Sequence, residues 1–145
     1  MKILRTHSSG SMTVGAVGAL SIYHYILGKP WKADLDILEG LRWCGDNFTV
    51  TENAGRGQGY HYYYLYGMER MGILYGTDHL GTHDWYREGA EFLVKDQNAD
   101  GSWGGAKEKG RTGPEVDTCF AILFLRRATK PLIDVASVDG TPRGK

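Results

Sequence analysis

The chain has 145 residues, of which 41% are hydrophobic and 23% are charged, as expected for one ordinary globular domain. Lys plus Arg and Asp plus Glu each number 17, a balance that gives no basic surface for nucleic acid or an anionic membrane. No apolar run approaches the ~18 residues of a membrane helix, and the first residues lack the apolar core of a signal peptide, so we expect no membrane span and a cytoplasmic location by default.

Five segments have the apolar periodicity of helices, and none has a strand pattern bounded by hairpin turns. The predicted helices cover residues 13–27, 32–43, 62–75, 84–97 and 114–128. Gly28 ends the first helix and Gly76 ends the third, because glycine readily adopts the left-handed conformation that closes a helix. Asp34 and Asp36 fall in the first turn of the second helix, where the helix dipole favours acids. Pro114 is a favourable first residue for the fifth helix.

The predicted helices are of two kinds, which alternate along the chain. The first, third and fifth are apolar or small on nearly all sides, which indicates burial on several sides. The second and fourth are amphipathic. In the fourth, Gly89 and Leu93 lie on one face, while Glu91 and Lys95 lie on the other. The sequence therefore predicts an inner layer and an outer layer of helices.

The helix pairs repeat about every fifty residues. The matched positions in the outer helices are Glu39, Gly40 and Trp43 with Glu88, Gly89 and Phe92. Those in the inner helices are Thr13, Ala16 and Leu20, then Tyr64, Gly67 and Met71, then Thr118, Ala121 and Leu125, at steps of 51 and 54 residues. The two outer sets are 49 residues apart. We therefore predict an all-α domain of αα-hairpin repeats over residues 12–130, between an N-terminal arm (1–11) and a flexible tail (131–145).

Two long glycine-rich loops, residues 45–60 and 98–113, each follow an outer helix. Because successive helices are antiparallel, both loops should lie at the same end as the N-termini of the last two inner helices. Loops held by a rigid scaffold commonly carry function, so we expect a binding site at this end.

One segment resembles a known repeat. Residues 92–103 have the sequence FLVKDQNADGSW, which resembles the QW repeat of the squalene–hopene and oxidosqualene cyclases, shared in a looser form by protein prenyltransferase β subunits. The resemblance implies a structural clamp. Gln97 would hydrogen-bond open backbone groups at a neighbouring helix end, Trp103 would pack over it, and Gly101 would permit the turn.

Other segments support the same resemblance. Residues 62–70 (YYYLYGMER), 84–89 (DWYREG) and 116–121 (VDTCFA) are similar to uncharacterised bacterial proteins that carry prenyltransferase and squalene-oxidase repeats. Over residues 12–128 the chain thus resembles the terpenoid cyclase/protein prenyltransferase superfamily, which implies an α/α-toroid. A whole toroid takes six helix pairs, so about five helices imply a partial toroid, similar to the C-terminal part of a larger relative. We expect self-association or a further polypeptide to cover its open apolar face.

The resemblance also suggests candidate site residues. Asp34-Leu35-Asp36-Ile37 lacks the last acid of the cyclase Asp-x-Asp-Asp motif, so first-turn acids explain it better. Asp117 and Cys119 resemble a prenyltransferase pair that supplies two zinc ligands, and Arg111 resembles a nearby diphosphate-binding residue.

The alternatives to zinc are structural. In the prenyltransferases a later inner helix supplies the histidine ligand, whereas His61 lies upstream. Asp117 is equally explained as a first-turn acid, and Cys44 and Cys119 as buried thiols. Residues i and i+2 of a helix point about 200° apart, and Pro114 places the helix start before Asp117. We therefore favour no cofactor, with zinc as the alternative.

Two classes of function follow from these features. The first is a repeat module without a complete catalytic set, which binds an isoprenoid-like apolar ligand or a protein partner through Tyr64, Arg111 and Asp117. The tyrosine run that contains Tyr64 could line an aromatic cavity or simply pack in the core. The alternative is part of an isoprenoid-processing enzyme, either a terpenoid cyclase or a zinc-dependent prenyltransferase-like protein, completed by further helices. Asp117 is then the candidate catalytic residue. The incomplete catalytic set favours the first class for this chain alone.

Overall fold

A computed structural model describes residues 8–105 and 113–132. Within them lie five helices: α1 (Gly10–Ile26), α2 (Leu35–Asp46), α3 (His61–Tyr75), α4 (Trp85–Asp96) and α5 (Pro114–Leu125). A 3-10 turn (Trp31–Ala33) precedes α2, and a two-stranded antiparallel hairpin, β1 (His79–Leu80) and β2 (His83–Asp84), precedes α4. The predicted all-α class is confirmed. The hairpin was not predicted, because strands of two residues carry no alternating pattern.

Helix α3 lies at the centre of the helix packing. Helix α3 packs against both α1 and α5, α2 packs against α1, and α4 contacts α3 and α5. The core between them contains the fully buried side chains of Leu65, Met68, Trp85, Leu93 and Phe124. In the part of the chain that the structure describes, no helix has both the length and the apolar character needed to cross a membrane.

Two glycines explain how closely the layers approach. A Cβ atom added at Gly40 of α2 would collide with Val17 of α1, and one added at Gly89 of α4 would collide with Phe124 of α5. Each glycine therefore lets an outer helix lie directly on an inner side chain, which supports the predicted correspondence of the two positions. The correspondence is partial, because Gly40 faces the preceding inner helix and Gly89 faces the following one.

Several element boundaries differ from the predicted ones. Helix α1 begins at Gly10, inside the predicted arm, where the amide of Gly10 donates to the carbonyl of Ala54 at 2.8 Å. Helix α2 begins later than predicted. Asp34 is its N-cap, and Oδ1 of Asp34 accepts a hydrogen bond from the amide of Ile37 at 3.1 Å. The predicted tail begins at Pro131, and its residues 133–145 lie outside the described residues.

Candidate functional site

The end of the domain that carries the long loops brings three elements together, as predicted. The amide of Gly104 in the second loop donates to the hydroxyl of Tyr62 near the start of α3, at 3.3 Å. The amide of Trp103 donates to Oγ1 of Thr118 in α5, at 3.0 Å. The described part of the second loop therefore lies beside the N-termini of α3 and α5, and the first loop lies beside the start of α3, where the carbonyl of Val50 is paired with His61.

The side chains of the predicted clamp make other contacts than the predicted ones. The buried indole N–H of Trp103 donates to the carbonyl of Leu93, one of the open carbonyls of the last turn of α4, at 2.8 Å. Gln97 instead donates to the carbonyl of Gly101 in its own loop, at 2.9 Å. The backbone of Gln97 is already extended (ψ 132°), so its side chain starts outside the helix. Gly101 has φ +86°, which fits its predicted place in the turn.

Asp117 and Cys119 lie on different faces of α5. Asp117 is buried in the first turn, and a Cβ atom added at Gly104 would collide with its carboxylate. Cys119 is exposed, so the prediction that it is a buried thiol was wrong, whereas Cys44 is buried. Burial raises the pKa of the Cys44 thiol to about 12. Cys119 faces outward because the neighbouring elements cover only part of the apolar surface of α5.

The structure therefore does not bring these two side chains together. Within residues 8–105 and 113–132, no three His, Cys, Asp or Glu side chains are grouped as metal ligands would be. Arg111, the predicted diphosphate contact, lies outside the described residues.

His61 is buried at the start of α3. Its Nε2 atom is paired with the carbonyl of Val50 in the first long loop, at 2.9 Å. Its ring lies 5.2 Å from that of Phe92, measured between centroids. Burial lowers the pKa of His61 below its ordinary 6.5, and the hydrogen bond to Val50 and the charges of Asp96 and Asp117 offset part of this shift. His61 is therefore neutral at neutral pH and ties the loop to α3.

This lowered pKa predicts a loss of stability in mild acid. An unfolded histidine takes up a proton near pH 6.5, whereas buried His61 resists protonation, so its contribution to folding declines as the pH falls below that value, by at most about 1.4 kcal/mol per pH unit. We expect the difference in unfolding free energy between wild type and His61→Gln to shrink from pH 7.5 to pH 5. The exposed His79, changed in the same way, is the control. A difference that stays constant for His61→Gln would contradict this assignment.

An open groove runs between α1 and α3 and has a volume of about 340 Å³. Small residues of α1 (Gly15, Gly18 and Ala19) and larger residues of α3 (Tyr63, Tyr66 and Arg70) line it. The guanidinium of Arg70 lies 5.7 Å from the ring centroid of Tyr66, and its Nη1 lies 3.3 Å from the hydroxyl of Tyr66.

The groove changes which tyrosine is a candidate for ligand contact. Tyr64, the residue we predicted, is fully buried, and its ring lies against Gly10. Burial raises the pKa of the Tyr64 hydroxyl. Tyr63 and Tyr66 belong to the tyrosine run for which a cavity lining was one of the two predictions, whereas Arg70 was missed. The spacing of i, i+3 and i+7 was the available signal, because it places the three residues on one helix face, about 100–160° around the helix from Tyr64.

A second pocket, of about 310 Å³, lies at the loop end between the two loops and the C-terminus of α4. We call it the loop-end pocket. Thr51, Gln58, Tyr62, Phe92, Asp96, Asn98 and Gly104 line it. Oδ2 of Asp96 accepts a hydrogen bond from the hydroxyl of Tyr62 at 2.6 Å. Asp96 was not a predicted site residue, although an acid at a helix C-terminus opposes the helix dipole and is for that reason unusual.

The described residues form a small, mostly helical domain with an apolar groove and a pocket of mixed polar and apolar lining. No family model matches the chain, and neither the curated proteins nor the solved structures contain a match. The resemblance to the terpenoid cyclase/protein prenyltransferase superfamily therefore stays a prediction drawn from the motifs.

Proposed function

We propose that this domain is a repeat module without a catalytic set of its own, which binds an elongated apolar ligand in the groove between α1 and α3. The proposal includes the relation to the terpenoid cyclase/protein prenyltransferase superfamily and the partial α/α-toroid. The packing of α1 and α5 against α3, with α2 and α4 outside, is compatible with an arc of such a toroid. The groove is the observation on which the proposal rests.

The shape of the groove suits an elongated molecule. A Cβ atom added at Gly15 would meet no atom within 4 Å, so the surface of α1 is open there. The rings of Tyr63 and Tyr66 form the opposite wall. A volume of about 340 Å³ lies in the range of small-molecule sites, and an apolar lining favours burial of hydrocarbon.

Arg70 indicates which polar group the ligand carries. It is the one charged residue among the described residues that line the groove, and it lies partly buried against Tyr66. A guanidinium in an apolar groove favours a carboxylate or another acidic group at one end of the ligand. The class of ligand is therefore an apolar chain with one acidic terminus.

Calorimetry with dodecanoate and dodecanol tests this proposal. Gly15→Leu should fill the groove without a backbone clash and weaken the binding of both probes about tenfold or more, because it displaces buried methylene groups. Gly15→Ala is the matched control and should leave binding unchanged. Arg70→Gln should weaken the binding of dodecanoate only. The proposal is wrong if wild type binds neither probe, or if Gly15→Leu binds them as wild type does.

The outward face of α1 favours a second candidate function. Met12, Tyr23 and Ile26 are 69%, 58% and 73% exposed, and their spacing places them on one side of the helix. Exposed apolar surface of this kind commonly marks an interface. A second copy or a further polypeptide would cover it, which includes the alternative of an isoprenoid-processing enzyme completed by further helices. Light scattering separates the cases, since a monomer that binds no apolar dye would oppose the interface.

A further inference from the structure

The amide side chains of the loop-end pocket are held so that they offer acceptors. Nε2 of Gln58 donates to the carbonyl of Thr51 at 3.0 Å. Nδ2 of Asn98 donates to Oγ of Ser102 at 3.1 Å and to the carbonyl of Gly104 at 3.3 Å. Because backbone carbonyls only accept, these partners fix the orientation of both amides. The two amide oxygens are the groups left for a ligand.

The side chains of Asp96 and Tyr62 likewise leave an acceptor, and no donor, for a ligand. The hydroxyl of Tyr62 donates to Oδ2 of Asp96 and accepts from the amide of Gly104, so its proton is already committed. Among the described residues, Oδ1 of the half-buried Asp96 accepts no hydrogen bond. Apart from the hydroxyl of Thr51, the polar side chains of the lining therefore present a carboxylate oxygen and two amide oxygens, all of them acceptors.

Two features of the described residues favour positive charge at this pocket. Asp96 is the last residue of α4, where the open carbonyls carry the negative end of the helix dipole. Asp117 and Glu52 are also close enough for their charges, like that of Asp96, to raise the pKa of His61. Since burial nevertheless keeps His61 neutral, it adds no compensating cation.

We propose that the loop-end pocket binds a small organic cation that carries N–H donors, namely a primary ammonium or a guanidinium group. The donors of such a group match the acceptors of Asp96, Gln58 and Asn98, and these two features favour its charge. The rings of Phe92 and Tyr62 line the same pocket and suit the attached hydrocarbon. A neutral polyol fits less well, because its hydroxyl oxygens would find few donors there.

A titration of the full chain followed by ¹⁵N NMR tests the proposal. The probes are n-pentylammonium, its uncharged isostere 1-pentanol, and tetramethylammonium, which has charge but no N–H donor, all at one ionic strength. With n-pentylammonium we expect saturable shifts at Gly104 and Asp96. The other two probes should bind at least about tenfold more weakly. Equal binding of 1-pentanol, or no saturable shift with n-pentylammonium, would overturn the proposal.

Two matched variants locate the effect. Asp96 and Asp46 are each the last residue of an outer helix, but Asp46 does not line the pocket. Asp96→Asn should weaken n-pentylammonium binding about tenfold or more, and Asp46→Asn should change it less than about twofold. Equal losses in both variants would show a nonspecific charge effect and reject the site. If Asp96→Asn fails to fold, the comparison of the three probes on the wild-type protein decides.

Discussion

Replacement of Trp103 by alanine is expected to lower the free energy of unfolding by roughly 3–5 kcal/mol, the range for removal of a buried large aromatic side chain. Trp103 is only 5% exposed. Its indole N–H donates a hydrogen bond to the carbonyl of Leu93 in α4, and its backbone amide donates one to the hydroxyl of Thr118 in α5. The substitution therefore removes core volume and leaves the carbonyl of Leu93 without its partner.

Phenylalanine at the same position separates the two contributions. Trp103→Phe keeps much of the volume but loses the indole N–H, which should cost about 1 kcal/mol. Trp31→Phe is the control, because the buried indole N–H of Trp31 has no hydrogen-bond partner in the described structure. Denaturant unfolding measures all three variants. A loss below about 1 kcal/mol for Trp103→Ala would show that the clamp does not hold the loop end together.

Replacement of Gly72 by alanine should destabilise the domain by about 2–3 kcal/mol, because it overpacks a rigid part of the core. The added Cβ atom would lie 2.5 Å from Cζ2 of Trp85. Trp85 cannot easily move away. Its indole N–H donates to the carbonyl of Thr77 at 2.8 Å, and its ring packs edge-on against that of Phe124, 6.1 Å away between centroids.

The same substitution at Gly15 is the matched control and should have the opposite sign. Gly15 also lies within a helix, but its added Cβ atom meets no neighbour within 4 Å. Gly15→Ala should therefore stabilise the domain by up to about 1 kcal/mol, because alanine favours the helical backbone. Thermal or denaturant unfolding of both variants measures the contrast. If Gly72→Ala were as stable as Gly15→Ala, helix α3 would not lie against Trp85 as described.

Helix α3 connects the two proposed sites. Tyr63, Tyr66 and Arg70 line the groove, whereas Tyr62 lines the loop-end pocket. The helix is aromatic or apolar on most sides because it contacts α1, α5 and α4. Ligands at the two sites would therefore contact different faces of one helix.

The sequence by itself determined the five helices and some of their ends, because these depend on local conformation. Gly28 and Gly76 have φ values of +66° and +82° and end their helices as predicted. Asp34 and Asp84 were predicted within their helices, but each instead caps the helix start and accepts a hydrogen bond from the amide three residues later. The amphipathic pattern of α4 likewise predicted that Gly89 and Leu93 are buried.

Only the tertiary structure decided which faces of the inner helices are exposed. A helix that is apolar all round gives no local sign of which residues meet a neighbour, so Cys119 proved exposed and Tyr64 buried. The partner of Trp103 was likewise undetermined, because the open carbonyl of Leu93 comes within reach only when the loop folds back over α4. The acceptor pattern around Asp96 arises in the same way. It joins groups from three separate segments, and no local pattern fixes their mutual distances.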